Sequence, residues 1–300
     1  MPARLIALTA LLAGLVLAGP ARPASAAAWT DLPARSATGS AVGPEITVAA
    51  GAFPAGPRFV TATVSARHAP GSPGRVTMLS VELACGADSV QATTNVLTTA
   101  VLTPRRVMTD ATACTVSARA AVDHPTARDG LRVIATLSAM PVGSGAVGYR
   151  PAGFPTLLRP GGRADVPPIA CEPPAGTGSV AVTGDLKVTT CTSVGGSREN
   201  GSPYLCAAPR VRPGGSTLRV ALVAQQPAAG GGYCAIRTLS ARTVRVGRAE
   251  HHAMISQRGT FPLSTAPGCT RTVRVKLAVR VLAGADLVIH RRGTITSVYR

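Results

Sequence analysis

The stretch that decides the fold runs from Arg75 to Val122 and reads RVTMLSVELACGADSVQATTNVLTTAVLTPRRVMTDATACTVSARAAV. Apolar and small polar residues alternate through it, and Gly, Asp, Asn and Pro interrupt it. Period-two alternation broken by turn residues is the pattern of half-buried β-strands. Two cysteines, Cys85 and Cys114, bracket its central part and predict a disulfide between neighbouring strands. A weaker copy of the pattern recurs from Ala235 to Val279.

The rest of the chain reads the same way. Phe59 to Ala66 (FVTATVSA) alternates cleanly, and Glu45 to Val48 and Leu131 to Ala139 are further strands. Hydrophobic residues make up 46% of the 300-residue chain but aromatics only 3%. A core must therefore be filled by Val, Leu, Ala, Ile and Thr, whose branched members suit a pleated surface. The 32 glycines and 25 prolines are scattered, which implies many short strands joined by turns rather than long helices or collagen.

Three echoes link the halves. Thr38 to Val48 resembles Thr177 to Val188, Phe59 to Ala66 resembles Leu218 to Ala224, and Cys114 to Arg119 resembles Cys269 to Arg274. They predict an all-β protein of two tandem immunoglobulin-like β-sandwich domains, 30–150 and 169–300. The Pro/Gly-rich stretch 151–168 is the expected linker. The likeness to immunoglobulin sandwiches is architectural only. The Cys85–Cys114 loop is shorter than that fold's inter-sheet disulfide, and no Trp lies between the two cysteines.

Residues 1–26 have the form of a cleaved signal peptide. Arg4 precedes an apolar run, Leu5 to Ala18, and Ala24-Ser25-Ala26 follows as an A-x-A site. The run is too short for a membrane span, and no second run of spanning length follows. The expectation is a secreted, extracellular protein with no membrane span in the mature chain.

Export implies paired cysteines. The seven are 85, 114, 171, 191, 206, 234 and 269. Besides Cys85 with Cys114, the favoured set is Cys191 with Cys206 and Cys234 with Cys269, leaving Cys171 unpaired. Cys171 with Cys191 competes. No C-x-x-C pair exists, which argues against structural zinc.

There is no G-x-S-x-G elbow, Walker loop, G-x-G-x-x-G or H-E-x-x-H. Glu250-His251-His252 is the densest titratable cluster, but adjacent strand residues face opposite ways, so the two histidines cannot easily share a metal. It reads as a surface turn or strand, or less simply as an acid–base site. His68 and His124, each in a turn sequence with Pro, read as exposed. Asp123 beside His124 resembles a catalytic pairing only if the fold brings a nucleophile close, and nothing in the sequence shows that. The few aromatic residues weigh against glycan-stacking platforms and against single-stranded nucleic acid. No cofactor is implied.

Charge is the sharpest signal. Basic residues number 31 and acidic ones 13, and only Lys187 and Lys276 among the basic residues are not arginine. From Arg198 to Arg300 there are 16 basic residues and 3 acidic ones. Thr272 to Leu282 (TVRVKLAVRVL) alternates an apolar face with Arg274, Lys276 and Arg280, and Leu239 to Arg248 adds Arg242 and Arg245. Such a face suits anions through the planar guanidinium, or serves as a solvated sheet surface that resists edge aggregation. The functional expectation is a non-enzymatic extracellular or cell-surface binding or structural protein, contacting an anionic cell-wall polymer or polysaccharide through Arg242, Arg245, Arg274, Lys276 and Arg280. The alternative is a secreted hydrolase or protease inhibitor that uses the cystine-braced loop Ser193 to Gly215.

Overall fold

The computed structural model describes residues 28–35, 37–74, 77–108, 113–122, 129–142, 148–151, 156–192, 206 and 211–299. The expected signal peptide, His124 with Asp123, and most of the 193–215 loop lie outside these residues. The described chain is all strand and turn, with no helix among the described residues. No described helix is therefore long and apolar enough to cross a membrane.

The first half contains β1 (Thr30–Pro33), β2 (Ile46–Ala52), β3 (Arg58–His68), β4 (Thr77–Cys85), β5 (Asp88–Val96), β6 (Thr99–Leu102), β7 (Arg105–Met108), β8 (Ala113–Ala121) and β9 (Gly130–Pro141). The second contains β10 (Gly148–Pro151), β11 (Thr156–Leu158), β12 (Arg163–Cys171), β13 (Ser179–Thr190), β14 (Ser216–Pro227), β15 (Tyr233–Val246), β16 (His252–Pro262), β17 (Val273–Gly284), β18 (Leu287–Ile289) and β19 (Ile295–Tyr299).

In the first half, one sheet runs β1-β9-β3, with β6 and β7 sharing the far edge of β3, and the other runs β2-β8-β4-β5. In the second half the sheets are β10-β19-β13, with β16 on the far edge of β13, and β12-β17-β14-β15. The remaining pairings of β18, to β11 and to β13, show that β10 with β11 and β18 with β19 act as interrupted strands. Counting each interrupted pair as one strand, each half has eight strands in two antiparallel sheets, ordered first-eighth-third-sixth and second-seventh-fourth-fifth. That is the double-sheet jelly-roll arrangement.

The expected immunoglobulin-like topology is thereby corrected. Strands adjacent in sequence hydrogen-bond only once per half, β4 with β5 and β14 with β15. All other connections cross between sheets. Alternation marks which residues face a core but does not name a strand's partner, so the two sandwich topologies share one sequence signature.

The expected linker is corrected too. Residues 148–171 supply β10, β11 and β12 to the second sandwich. Pro167 and Pro168 fall where the β12–β17 register shifts, between Val166 and Ile169. A bulge on an edge strand is where proline's missing donor does no harm. Of the three echoes, only Cys114/Cys269 joins equivalent strands, β8 and β17. The other two match each strand to its neighbour in the repeat.

Each sandwich has its own core. Val60, Val64, Leu79, Leu83, Val116 and Leu131 fill the first, and Leu186, Leu218, Leu222, Leu277, Val279 and Phe261 the second. At Gly184 the two sheets approach closely. A Cβ there would lie 2.6 Å from Leu277 Cδ2, so only glycine fits without displacing that side chain. Three disulfides are formed. Cys85 and Cys114 are directly opposed in the β4–β8 ladder, Cys191 bonds Cys206, and Cys234 ties the start of β15 to Cys269. Cys171 is a free, half-buried thiol, and burial pushes its pKa up to about 11.

The halves are joined by a broad contact. The outer face of β13, β16 and β19 lies against β5 and β7 of the first sandwich. Ile295 joins the first sandwich's core cluster, with Met254 packed beside it. Phe59 and Tyr299 stack with centroids 4.5 Å apart. Polar groups fill the remainder. Arg105 grips Asp185 through two nitrogens, Lys187 Nζ donates to Gln91 Oε1 at 2.8 Å, and the His252 amide donates to Asn95 Oδ1.

Candidate functional site

The free face of the second sandwich belongs to the sheet β12-β17-β14-β15. Its inward residues, such as Val279, Val220 and Leu218, are fully buried, while the alternate residues of β17 and β14 point out. Register then fixes which outward side chains are neighbours. Arg163 on β12 is directly opposite Arg280 on β17, and Arg280 is opposite Arg219 on β14. Arg219 in turn faces Thr243 on β15. Three arginines therefore stand in one line across three adjacent strands, about 4.8 Å from each to the next. Like charges directly opposed on a sheet destabilise it. All three are exposed, and none has an acidic partner among the described residues.

Arg245, opposite Thr217, lies one outward step away along β15, and Arg274, opposite Gln225, lies at the other end of the face. Between them the row Ala278–Ala221–Ala241 carries only methyl side chains. Asp165 is the single carboxylate on the outward positions of these strands. It accepts from Lys276 Nζ at 2.6 Å.

The five basic residues expected from sequence thus separate. Arg245, Arg274 and Arg280 share the outer face and have no acidic partner among the described residues. Lys276 shares it but is neutralised by Asp165. Arg242 does not share it. It pairs with inward-facing Val220, on the side of β15 that meets β16, and its guanidinium donates to the Ser256 carbonyl of β16 at 2.9 Å. The apparent run of Arg242, Arg245 and Arg248 misleads because strand parity splits odd from even positions. Sequence reasoning missed Arg163 and Arg219. Arg219 was findable, since STLRVALVAQQ alternates and puts Arg219 out. Arg163 was hidden in the stretch read as a linker.

The histidine cluster lies at the contact between the two halves. His252 opens β16 against the first sandwich, and its Nδ1 lies 2.6 Å from Thr189 Oγ1, which is also 2.6 Å from His290 Nε2. Burial, then His251, His290 and Lys187, hold the His252 pKa well below its ordinary value. A hydroxyl–imidazole pair of this kind suits acid–base chemistry, but here Thr189 is wholly buried. Glu250 is exposed. No group of three metal-ligating side chains occurs among the described residues. His68 is tied down, its Nε2 donating to the Leu97 carbonyl at 2.9 Å.

A cleft of about 290 Å³ opens at one end of the second sandwich, lined by Thr177, Gln226, Ser264, Cys269 and Arg271. Its polar groups are largely consumed by the loops that form it. Gln226 Nε2 donates to the Ser264 and Thr270 carbonyls, and Arg271 donates to the Pro173 carbonyl.

No protein-family model matches the chain, and no curated protein does. Among solved structures, it is similar to the T13 IBDV viral particle, with 9% identity over 81% of this chain and 56% of that one, and a TM-score of 0.33. It is similar to infectious bursal disease virus strain Gx, with 10% identity over 82% and 62% of the two chains, and a TM-score of 0.29. It is also similar to the CBM22-1–CBM22-2 tandem of Paenibacillus barcinonensis Xyn10C, with 11% identity over 93% and 95%, and a TM-score of 0.25. The chain spans little more than half the length of the viral chains.

Proposed function

We propose that this is a secreted, non-enzymatic binding or structural protein whose second sandwich holds an anionic polymer on the outer face of β12-β17-β14-β15. The observation that carries the reading is the in-register line Arg163–Arg280–Arg219, without acidic partners among the described residues. A row of opposed like charges costs stability, and a polyanion laid across it removes that cost while supplying forked hydrogen bonds to each guanidinium. Arg245 and Arg274 extend the positive field along the face. Three disulfides support an oxidising, extracellular setting.

The test is retention of the whole mature protein on a dextran-sulfate matrix against salt. Binding through released counter-ions falls linearly in log–log form, and Arg219→Ala with Arg280→Ala should lower that slope by about two. A control pair of the same charge change in the first half, Arg35→Ala with Arg119→Ala, should leave it nearly intact. Equal loss in both pairs would show that net charge, not this face, does the binding.

A further inference from the structure

The face holds more than charge. Two of the most exposed large apolar side chains of the protein, Ile236 at 56% and Tyr233 at 46%, lie on β15. Ile236 is opposite outward-facing Gln225, which is itself opposite Arg274. Tyr233 pairs with Pro227 one step further along. The positions run in sequence along the strands, from the arginine line, across the alanine row, past Val223 and Thr238, to Arg274, Ile236 and Tyr233. Eight residues of β14 separate Arg219 from Pro227, so the track is roughly 26 Å long at about 3.3 Å per residue.

Tyr233 is also held in place. It follows the Gly230-Gly231-Gly232 turn, where Gly231 and Gly232 have positive φ of 99° and 73°. The next residue, Cys234, is bonded to Cys269 ahead of β17. A ring carried on a backbone braced next to a disulfide is presented with less backbone freedom to lose on meeting a ligand.

Resting on the basic-face reading above, we propose that the polymer is an acidic polysaccharide bearing carboxylates, lying along β17, β14 and β15. The scarcity of aromatics that weighs against an array of stacking platforms still leaves this face one, so a sugar ring stacks on Tyr233 and others cover Ile236 and the alanine row, while the carboxylates meet Arg163, Arg280 and Arg219 at one end and Arg274 at the other. A chain of phosphates alone would satisfy the arginines but has no ring face to offer Tyr233. A pyranose has both an apolar face and an ionised edge, and this surface presents the complement of each. The flat methyl row admits a ring, where longer side chains would hold it off.

The experiment compares polygalacturonate with inorganic polyphosphate as probes, by calorimetric titration of the full mature protein at several salt concentrations. Polygalacturonate should keep measurable affinity at salt where polyphosphate has lost it. Tyr233→Ala should weaken polygalacturonate binding by up to about tenfold, the worth of one aromatic contact, and leave polyphosphate binding unchanged. Tyr233→Phe keeps the ring and should bind as the parent does, which separates stacking from any disturbance of the neighbouring disulfide. Equal binding of both polymers, with Tyr233→Ala affecting neither, overturns the polysaccharide assignment and leaves the basic face standing. Failure of both polymers to bind at low salt overturns the basic face itself.

Discussion

Removing Arg105 should be far more damaging than its place near the surface implies. Its guanidinium meets Asp185 with Nη2 2.5 Å from Oδ1 and Nε 3.3 Å from Oδ2. Asp185 is only 2% exposed and Arg105 13%. Burial opposes the Arg105 charge, and the adjacent carboxylate outweighs it, so the guanidinium's pKa is raised. Arg105→Ala leaves a buried carboxylate between the sandwiches without its ion-pair partner, which costs about 3–5 kcal/mol. Asp185→Asn costs less, about 1–3 kcal/mol, because the longer arginine can turn toward water. With total stability near 5–15 kcal/mol for a typical domain, the first change is a large fraction. The pair joins β7 to β13, so the damage falls on the contact between the halves. Urea unfolding of the two single variants and the double variant measures it. The double variant should cost about 1–3 kcal/mol less than the sum of the singles. Costs below about 1 kcal/mol for each, adding without coupling, would mean that the pair behaves as a solvated surface bridge and that the buried contact is misjudged.

Two further outcomes follow from the titrating groups. His252 is held neutral by burial and by His251, His290 and Lys187, so its folded pKa lies below its unfolded value. The unfolded chain then binds the extra proton first, and stability falls as pH drops below about 6.5, by up to about 1.4 kcal/mol per unit of depression. The urea midpoint should therefore drop from pH 8 to pH 5, and His252→Gln should flatten that dependence; an unchanged slope would place the effect elsewhere. Cys171, with its pKa pushed up to about 11, stays a protonated thiol at pH 8. It should resist iodoacetamide in the folded protein and react fully after unfolding, and rapid labelling of the native state would contradict the burial that raises its pKa.

The alternation in Phe59 to Ala66 and in Thr272 to Leu282 was enough to find strands and their core faces, because period two is a local property of the pleat. Arg274 and Arg280 were therefore readable as outward. Strand order was not readable, since a Val/Thr strand carries no mark of its partner. The echo between Phe59–Ala66 and Leu218–Ala224 joined β3 to β14, whereas β3 corresponds to β13. Arg163 was lost for a different reason. The proline density around it reads as linker until Pro167 and Pro168 are seen at a bulge on an edge strand. His252 became an interior group only because another sandwich covers β16, a tertiary event that no local pattern announces.

The repeated topology also supplies an internal control for the arginines. The sheets β2-β8-β4-β5 and β12-β17-β14-β15 occupy equivalent places in their sandwiches. Both need apolar inward residues, and both have them: Val116, Ala118 and Ala120 on β8, and Val275, Leu277 and Val279 on β17. Their outward positions are not set by the fold. On β8 these are Thr115, Ser117 and Arg119, and on β4 they are Met78, Ser80, Glu82 and Ala84. The counterparts on β17 and β14 include Arg274, Lys276, Arg280 and Arg219. A compositional bias toward arginine acting evenly along the chain would load both faces alike. Part of the first face is also buried against the second half, with Ser80, Thr93 and Asn95 all less than a tenth exposed. In the second sandwich the opposite sheet is the one spent on the contact between the halves, which leaves β12-β17-β14-β15 uncovered. The positive charge is thus gathered on the sheet that the architecture leaves free, which is where an external polyanion could reach it.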